Sequence, residues 1–493
     1  MPAFEDLVNI IASGYPVERK DLTERAENAI KGLFGERYRK DTAYARRIAF
    51  MPGDDNIPFA GLVHRDSPSS GMYGGMSLIW FPVEKGRNEQ PTSLLTFVCG
   101  TRGLDPDAQI LGRPGHARHL HAMQRLLNRQ LGVAVWTKRD PTNLSQSLPE
   151  IIKEQYPHFS GAINRYGNYI YALVEVPSEL EAARAVVSAF LDFYAWERGW
   201  SPLAAVRAEI DQLRNNLRAN LFPQVDRESI QSLLRERRFV ILQGPPGTGK
   251  TRLANEILEG DFGKQGATVQ FHPVVTYETF VAGISPDVHH NSLSFEVKAG
   301  WLVEAIQAAR QQDYLLVIDE INRADLGRVL GEAIYLFEPR EIKQSKARTV
   351  KLSYAPDGQN EISIPPSLYV LGTMNSADRS IAILDLAVRR RFAFVDVWPN
   401  LDVVQQQGHS LATRAFGQLQ DIFAQYAPDD ALVLLPGHAY FLADSEAELI
   451  NRLRYELIPL LNEYLQEGRL GSCESELRAY IDWLEGELLR HAA

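Results

Sequence analysis

Apolar positions change their spacing twice along this chain. Residues 1–45 carry them at helical intervals within mixed-charge sequence, which predicts helices. From about residue 46 they gather into short runs punctuated by Gly, Pro and Asp, which predicts strands over 57–64, 76–84, 93–100, 132–140 and 169–177. A long apolar helix over 179–196 closes this region, so residues 1–200 read as one α+β domain. Residues 201–222 return to helical spacing and read as an amphipathic connector, a plain linker or a helix that docks a partner.

Beyond it the pattern is strand and helix in alternation. DRESIQSLLRERR leads into an apolar strand, Phe239–Leu242, followed by a glycine-rich loop and a helix. A second strand within TVQFHPVV ends at His272-Pro273, and an apolar-periodic helix is expected after it. FEVKAG predicts a short strand broken at Gly300 before another helix. Leu315–Ile318 is a buried strand, 327–339 a helix, and 349–365 a hairpin turning at Asp357-Gly358. A further buried strand, LYVLGT, precedes a helix ending in Arg389-Arg390-Arg391 and a fifth strand. Residues 223–398 therefore predict an α/β domain around a parallel sheet, and 399–493, helical throughout, an α-helical lid.

Composition narrows the class. With 493 residues, 45% hydrophobic and 23% charged, the chain is long enough for several globular domains. No apolar run approaches the ~20 residues of a membrane span, and the acidic N-terminus, MPAFEDLVNI, lacks a secretory pattern. The two cysteines, Cys99 and Cys473, lie far apart, which argues against a disulfide scaffold or a cysteine zinc site and fits a reducing cytoplasm. Residues 1–200 hold 23 basic and 23 acidic side chains, so the net charge of −10 arises entirely in the remainder. That excludes a globally basic DNA-binding protein and leaves room for a local basic face.

The strongest chemical signal is VILQGPPGTGKT, Val240 to Thr251. Gly244, Pro245, Pro246, Gly247, Thr248 and Gly249 form a phosphate loop whose backbone N–H groups turn inward around a polyphosphate. Lys250 reaches the β- and γ-phosphates, the Thr251 hydroxyl joins a Mg²⁺ shell, and the helix N-terminus adds partial positive charge. Asp319 and Glu320 end the apolar strand about seventy residues on, where ligands of open α/β sheets bind. Asp319 would hold the Mg²⁺ and Glu320 would polarise the attacking water. Asn375 sits where ASCE-type ATPases place a polar sensor of the γ-phosphate, and the triple arginine is a candidate to reach a neighbouring subunit's nucleotide.

The N-terminal region offers weaker candidates. His116, His119 and His121 alternate with Arg113, Arg118 and Arg125; a solvated or anion-facing surface is a better reading than a metal site. Asp105 and Asp107 precede a strand-like Ala108–Leu111, but no Glu-x-Lys pair follows to make a nuclease. Trp80, Trp136, Lys138 and Arg139 could stack on nucleic acid, although such tryptophans are more often core. Lys343, Lys346, Arg348 and Lys351 make the approach to the second hairpin basic.

Together VILQGPPGTGKT, VQFHPVVTYETFVAGI, LVIDEINRADLGRVLGE, MNSADRS, RRRFAF and LPGHAYFLADSEAELINRLRYELIPLLNEYL resemble the McrB family of AAA+ proteins, the nucleotide-driven subunits of modification-dependent restriction systems. The resemblance covers about the last 260–270 residues and implies an α/β AAA+ fold with Walker A and Walker B motifs. It implies nucleotide-sensing or hydrolytic roles for Asn375, Asp378 and Arg379, and a trans-acting role for Arg389 and Arg390. It further implies a homo-hexameric ring, Mg²⁺, GTP or ATP as substrate, and a McrC-like partner that carries the nuclease. N-terminal domains vary in that family and several read modified DNA, so DNA is the expected partner of residues 1–200. Two other readings remain open: a remodelling ATPase whose N-terminal domain binds a protein client, and an N-terminal effector gated by the ring.

Overall fold

The computed structural model describes residues 2–14, 19–50, 57–68, 71–83, 92–289, 292–344, 346–358, 360–378 and 386–492. The chain divides into two compact units, residues 1–221 with 424–427, and residues 222–423 with 428–493.

The first unit is built on an antiparallel sheet of β1 (Ala45–Ala49), β2 (Phe59–Val63), β3 (Met76–Val83), β4 (Thr92–Cys99), β5 (Trp136–Thr137) and β6 (Ile170–Glu175), in the order β1-β2-β3-β4-β6-β5. Its central strands read as unbroken apolar runs because both faces are covered. Leu78, Trp80, Leu95 and Phe97 join a core with the helices Pro2–Ala12 and Leu180–Glu197. Ile79, Phe81, Leu94 and Val98 join another with Phe159 and Ile163. Trp80 is thus a core residue.

Inside the apolar helix Leu180–Glu197, Asp192 is buried and accepts from Arg37 Nε at 2.9 Å and from Tyr38 Oη at 2.8 Å. Arg37 also reaches Glu209 on the helix Ala204–Leu221 at 3.2 Å. That helix sends Val206, Ile210 and Leu217 into the first core, so its apolar face is used inside the unit. The stretch 132–140 contributes only the two-residue β5, and Ala108–Leu111 is a helical turn, not a strand. Its preceding residue, Asp107, is drawn inward by Arg198, which fixes the turn there.

In the second unit, β7 (Phe239–Gly244), β8 (Gly266–Gln270), β11 (Tyr314–Asp319), β14 (Leu368–Asn375) and β15 (Ala393–Asp396) form a parallel sheet in the order β15-β7-β14-β11-β8. Alternate residues face opposite cores: Phe239, Ile241, Leu316 and Ile318 one way, Val240, Leu242, Leu315 and Val317 the other. Register places Asn375 opposite Gly244 and Gly372 opposite Ile318, so three strands deliver their C-terminal residues to one edge.

Three expected elements differ. After His272-Pro273 the helix is only Tyr277–Phe280, and the apolar VAGI runs into β9 (Ala282–His289), which pairs with β10 (Ser292–Ala299) as an inserted hairpin. The helix expected over 327–339 stops at Leu330, where Gly331 takes φ 49°, and continues as a 3-10 segment to Leu336. The hairpin turning at Asp357-Gly358 is present but pairs only β12 (Val350–Lys351) with β13 (Glu361–Ile362). Helices Leu401–Gln406, Ser410–Tyr426, Glu446–Arg452, Ile458–Gln466 and Glu474–Ala492 follow. Between the third and fourth, Leu453–Leu457 is a π-turn; Pro459 lacks the N–H that would continue the α register there. No helix among the described residues is long and apolar enough to cross a membrane.

Candidate nucleotide site

The phosphate loop leaves β7 at Gly244 and needs left-handed backbone at Gly247 (φ 78°) and Gly249 (φ 77°), which only glycine adopts freely. Gly249 caps the helix Lys250–Asp261 from that conformation. The Lys250 side chain is buried under the loop, its Nζ donating to Gly244 O (3.0 Å), Pro245 O (2.7 Å) and Thr248 Oγ1 (3.3 Å). Burial pushes its pKa down to about 8, against the pull of the Glu320 and Asp319 carboxylates.

β11 brings Asp319 to the same edge. Its Oδ1 accepts from Thr251 Oγ1 at 2.7 Å and from Thr373 Oγ1 at 2.6 Å. Thr373, on β14, also accepts the backbone N–H of Glu320 at 3.1 Å. Glu320 needs that support, because it holds φ 54° and ψ 46°, a conformation costly for a residue with a side chain. Its Oε2 has no hydrogen-bond partner among the described residues and lies 3.4 Å from Arg323 Nε. Arg323 Nη2 in turn lies 4.0 Å from Asp378 Oδ2. Asn375 ends β14; its Oδ1 accepts from Ala377 N at 3.0 Å, and its carbonyl accepts from the buried Asn322 at 3.2 Å. Arg379 lies outside the described residues.

The three arginines are not equivalent. Arg391 is buried and donates to Ala387 O at 3.0 Å. Arg389 lies over the Phe394 ring at 5.5 Å, and Arg390 is exposed, with Nη2 donating to Glu338 Oε1 at 3.1 Å. Of the basic residues near the second hairpin, Arg348 is committed to Glu341 by two bonds of 2.6 Å.

Further contributors come from the chain after the parallel sheet. The segment Leu435–Tyr440 crosses the loop: Gly437 N donates to Pro246 O (2.9 Å) and Ala439 N to Gly247 O (3.0 Å). Tyr440 packs so near Gly247 that a Cβ there would meet its ring at 3.1 Å. His438 accepts from Asn400 N at 3.3 Å, and burial, with Arg252 nearby, pushes its pKa down to about 4. Arg469 donates to Ala377 O at 2.7 Å. Pro246, Asn375, Asp378, Tyr440, Tyr464 and Arg469 line a cavity of about 640 Å³. Leu435–Tyr440 and Tyr464 fall within the LPGHAYFLADSEAELINRLRYELIPLLNEYL run that carries the family resemblance, but nothing in that run shows that it meets the phosphate loop, and Arg469 lies beyond it.

The N-terminal candidates do not assemble a site. His116 and His119 are buried on the helix Pro114–Leu131, not on a solvated surface. Burial alone would raise the Glu197 pKa, but His116 Nδ1 at 3.1 Å and Arg113 Nη2 at 2.6 Å bring it to about 2. Burial lowers His119 to about 3. Among the described residues no group of three or more His, Cys, Asp or Glu could hold a metal. Asp107 is engaged by Arg198 and by Met76 N at 2.7 Å, and Lys138 Nζ donates to Asn168 O at 3.0 Å.

A phosphate loop whose threonine meets the acid ending another strand of the same parallel sheet, with a second acid beside it and β14 between the two strands, defines a P-loop nucleoside triphosphatase of the AAA+ class. A family model for the AAA domain (dynein-related subfamily) matches residues 239–392. The chain is 31% identical over 352 residues to the type IV methyl-directed restriction enzyme EcoKMcrB subunit of Escherichia coli (strain K12), covering 65% of this chain and 75% of that protein. It belongs to the McrB family of AAA+ nucleoside triphosphatases. The type II restriction enzyme BsuMI component YdiS of Bacillus subtilis (strain 168) is 25% identical over 287 residues, covering 48% of this chain and 80% of that one. Among solved structures, a mutant of Thermotoga maritima RuvB is 16% identical over 53% of this chain and 71% of that chain, with a TM-score of 0.23, too low to support an argument.

Proposed function

We propose that this chain is the nucleotide-driven motor subunit of a DNA restriction or anti-phage defence complex, hydrolysing GTP or ATP. The observation that carries the reading is the junction of Thr251, Asp319 and Thr373, with Glu320 held beside it. Lys250 would exchange its carbonyl partners for phosphate oxygens, and the loop N–H groups would hold the rest of the polyphosphate. The Thr251 hydroxyl and Asp319 carboxylate are adjacent hard oxygen donors, the kind Mg²⁺ takes. Bound there with the triphosphate, the ion would neutralise phosphate charge. Glu320, with an oxygen whose acceptor capacity is unmet, would take the proton of the attacking water. Asn375 and Asp378 line a cavity with Pro246 of the phosphate loop and would orient that water and sense the γ-phosphate; Arg379 carries the same expectation from its place in MNSADRS.

Arg390 would complete the site of a neighbouring copy, since it is exposed while Arg391 is buried; Arg389 is the second candidate. A site completed in trans requires a neighbouring copy; on this reading the copies form a homo-hexameric ring. The names of both relatives describe a subunit or component of a restriction enzyme, which supports partner subunits; on this reading the partner is a McrC-like nuclease and the setting is cytoplasmic. DNA would be read by the first unit. There a cavity of about 460 Å³, lined by Phe59, Tyr73, Phe81, Tyr166 and Tyr169 with Arg165, offers rings on which a base could stack. The balanced charge of residues 1–200 favours a second reading, a remodelling ATPase whose first unit binds a protein client. Duplex binding by the full chain, lost on Tyr166→Ala, separates the two.

Glu320→Gln tests the chemistry. It should bind nucleotide, fail to turn over and accumulate as an assembled oligomer. Turnover at the unsubstituted rate would remove Glu320 as the base.

A further inference from the structure

One carboxylate oxygen, Glu338 Oε1, lies 3.1 Å from Arg390 Nη2, 3.2 Å from Arg391 Nη2 and 3.5 Å from Arg348 Nη1. Two of these cations are fixed by other means. Arg348 is paired bidentately with Glu341 and lies 4.2 Å over the Tyr335 ring. Arg391 has 7% of its side chain exposed and is tied to Ala387 O. Arg390 has 65% exposed, so Glu338 restrains a side chain that burial does not.

The backbones on both sides of the contact are locked. Phe337 precedes Glu338 and Phe392 follows Arg391; their rings stack at 5.6 Å and 25°, and both pack on Phe239, at 4.7 and 5.9 Å. Phe239 begins β7, the strand that ends in the phosphate loop. Carboxylate, arginine helix and phosphate loop thus share one rigid support. An exposed arginine gives up rotamer freedom when it enters a partner's site, and a carboxylate that already restricts it lowers that cost.

We propose that Glu338 is a positioning residue for Arg390, holding its guanidinium in one orientation for the nucleotide of the adjacent subunit, with Arg391 as the buried half of the clamp. The inference rests on the trans-acting reading of Arg390, and the test separates the two. In the full chain, Glu338→Gln should lower kcat about 10- to 100-fold, as small misplacements of catalytic groups do. Nucleotide Kd and oligomer mass should stay unchanged.

A purely structural loss would act within the subunit, so the deciding readout is complementation. Glu338→Gln subunits keep an intact pocket, and Glu320→Gln subunits keep an intact arginine. Mixed rings should therefore hydrolyse well above the sum of the two separate preparations. Arg390→Ala mixed with Glu320→Gln is the control. If the control complements and the Glu338→Gln mixture does not, Glu338 serves its own pocket and the proposal fails alone. If the control also fails to complement, the trans reading of Arg390 falls and takes the proposal with it. A rise in kcat on Glu338→Gln would overturn it too, by making the carboxylate a latch. Should the Gln substitution prevent assembly, Glu338→Asp keeps a charge for Arg391 but withdraws it by one methylene, and the same mixing decides.

Discussion

Lys250 carries a contradiction that its environment resolves. Its ammonium is buried, which lowers the pKa to about 8, yet the charge is what an anionic triphosphate needs. Free protein is therefore charged at neutral pH and loses the proton only as pH rises through about 8, while bound triphosphate favours the charged form. Binding above that pH takes up a proton, so nucleotide Kd should be flat below about pH 7.5 and rise about tenfold per unit above 8. Titration calorimetry across that range would show it; a Kd unchanged to pH 9.5 would mean that burial does not lower the free Lys250 ammonium to about 8.

Thr373 makes the complementary point. One hydroxyl donates to Asp319 and accepts from the N–H of the strained Glu320. Thr373→Val keeps the shape and removes both bonds. It should leave Kd within a few-fold and lower kcat by about 10- to 100-fold, the usual scale for a residue that orients a ligating or catalytic group. Unchanged kcat would show that Asp319 and Glu320 hold their geometry without it. Lys250, Asp319 and Glu320 were legible in the sequence because phosphate and metal chemistry fix their spacing to local motifs. Thr373 was not, since its role exists only once β14 lies between β7 and β11.

At the scale of elements, the parallel sheet and its order of delivery follow from apolar runs that end in polar residues, and these the sequence displays openly. Two elements hid for a common reason. VAGI and GRVLGEAIYL have helical apolar spacing, but pairing of β9 with β10 and the turn at Gly331 override it. The Leu435–Tyr440 segment carries part of the family resemblance, but its contact with the phosphate loop was not legible. It lies in a region of helical composition, yet its Gly437 and Ala439 N–H groups bond the phosphate loop directly. A Cβ on Gly437 would fall 2.0 Å from Gly247 C, backbone that cannot yield without moving the loop. Gly437→Ala should weaken nucleotide binding by about 1–3 kcal/mol, an ordinary cost of overpacking. Gly417→Ala, where nothing lies within 4 Å of the added atom, should leave it unchanged. Equal affinities for the two variants would separate this segment from the nucleotide.

For the whole molecule, the sequence divides where the charge divides. The formally neutral first 200 residues form most of one unit, and the acidic excess lies with the nucleotide fold. What the first unit recognises was the least legible property of the chain. Its aromatic, histidine and tryptophan residues go largely to two cores and to buried ion pairs such as Arg113–Glu197, which leave no motif. On the proposed function, the exposed Arg390 would complete the site of a neighbouring copy. The most direct test of that claim is hydrolysis of GTP and ATP side by side by the purified chain, with oligomer mass recorded under each nucleotide and at several protein concentrations. The account predicts a ring that forms with nucleotide and a specific activity that rises with it. Full turnover by a monomer, or no turnover of either nucleotide by the assembled ring, would contradict it.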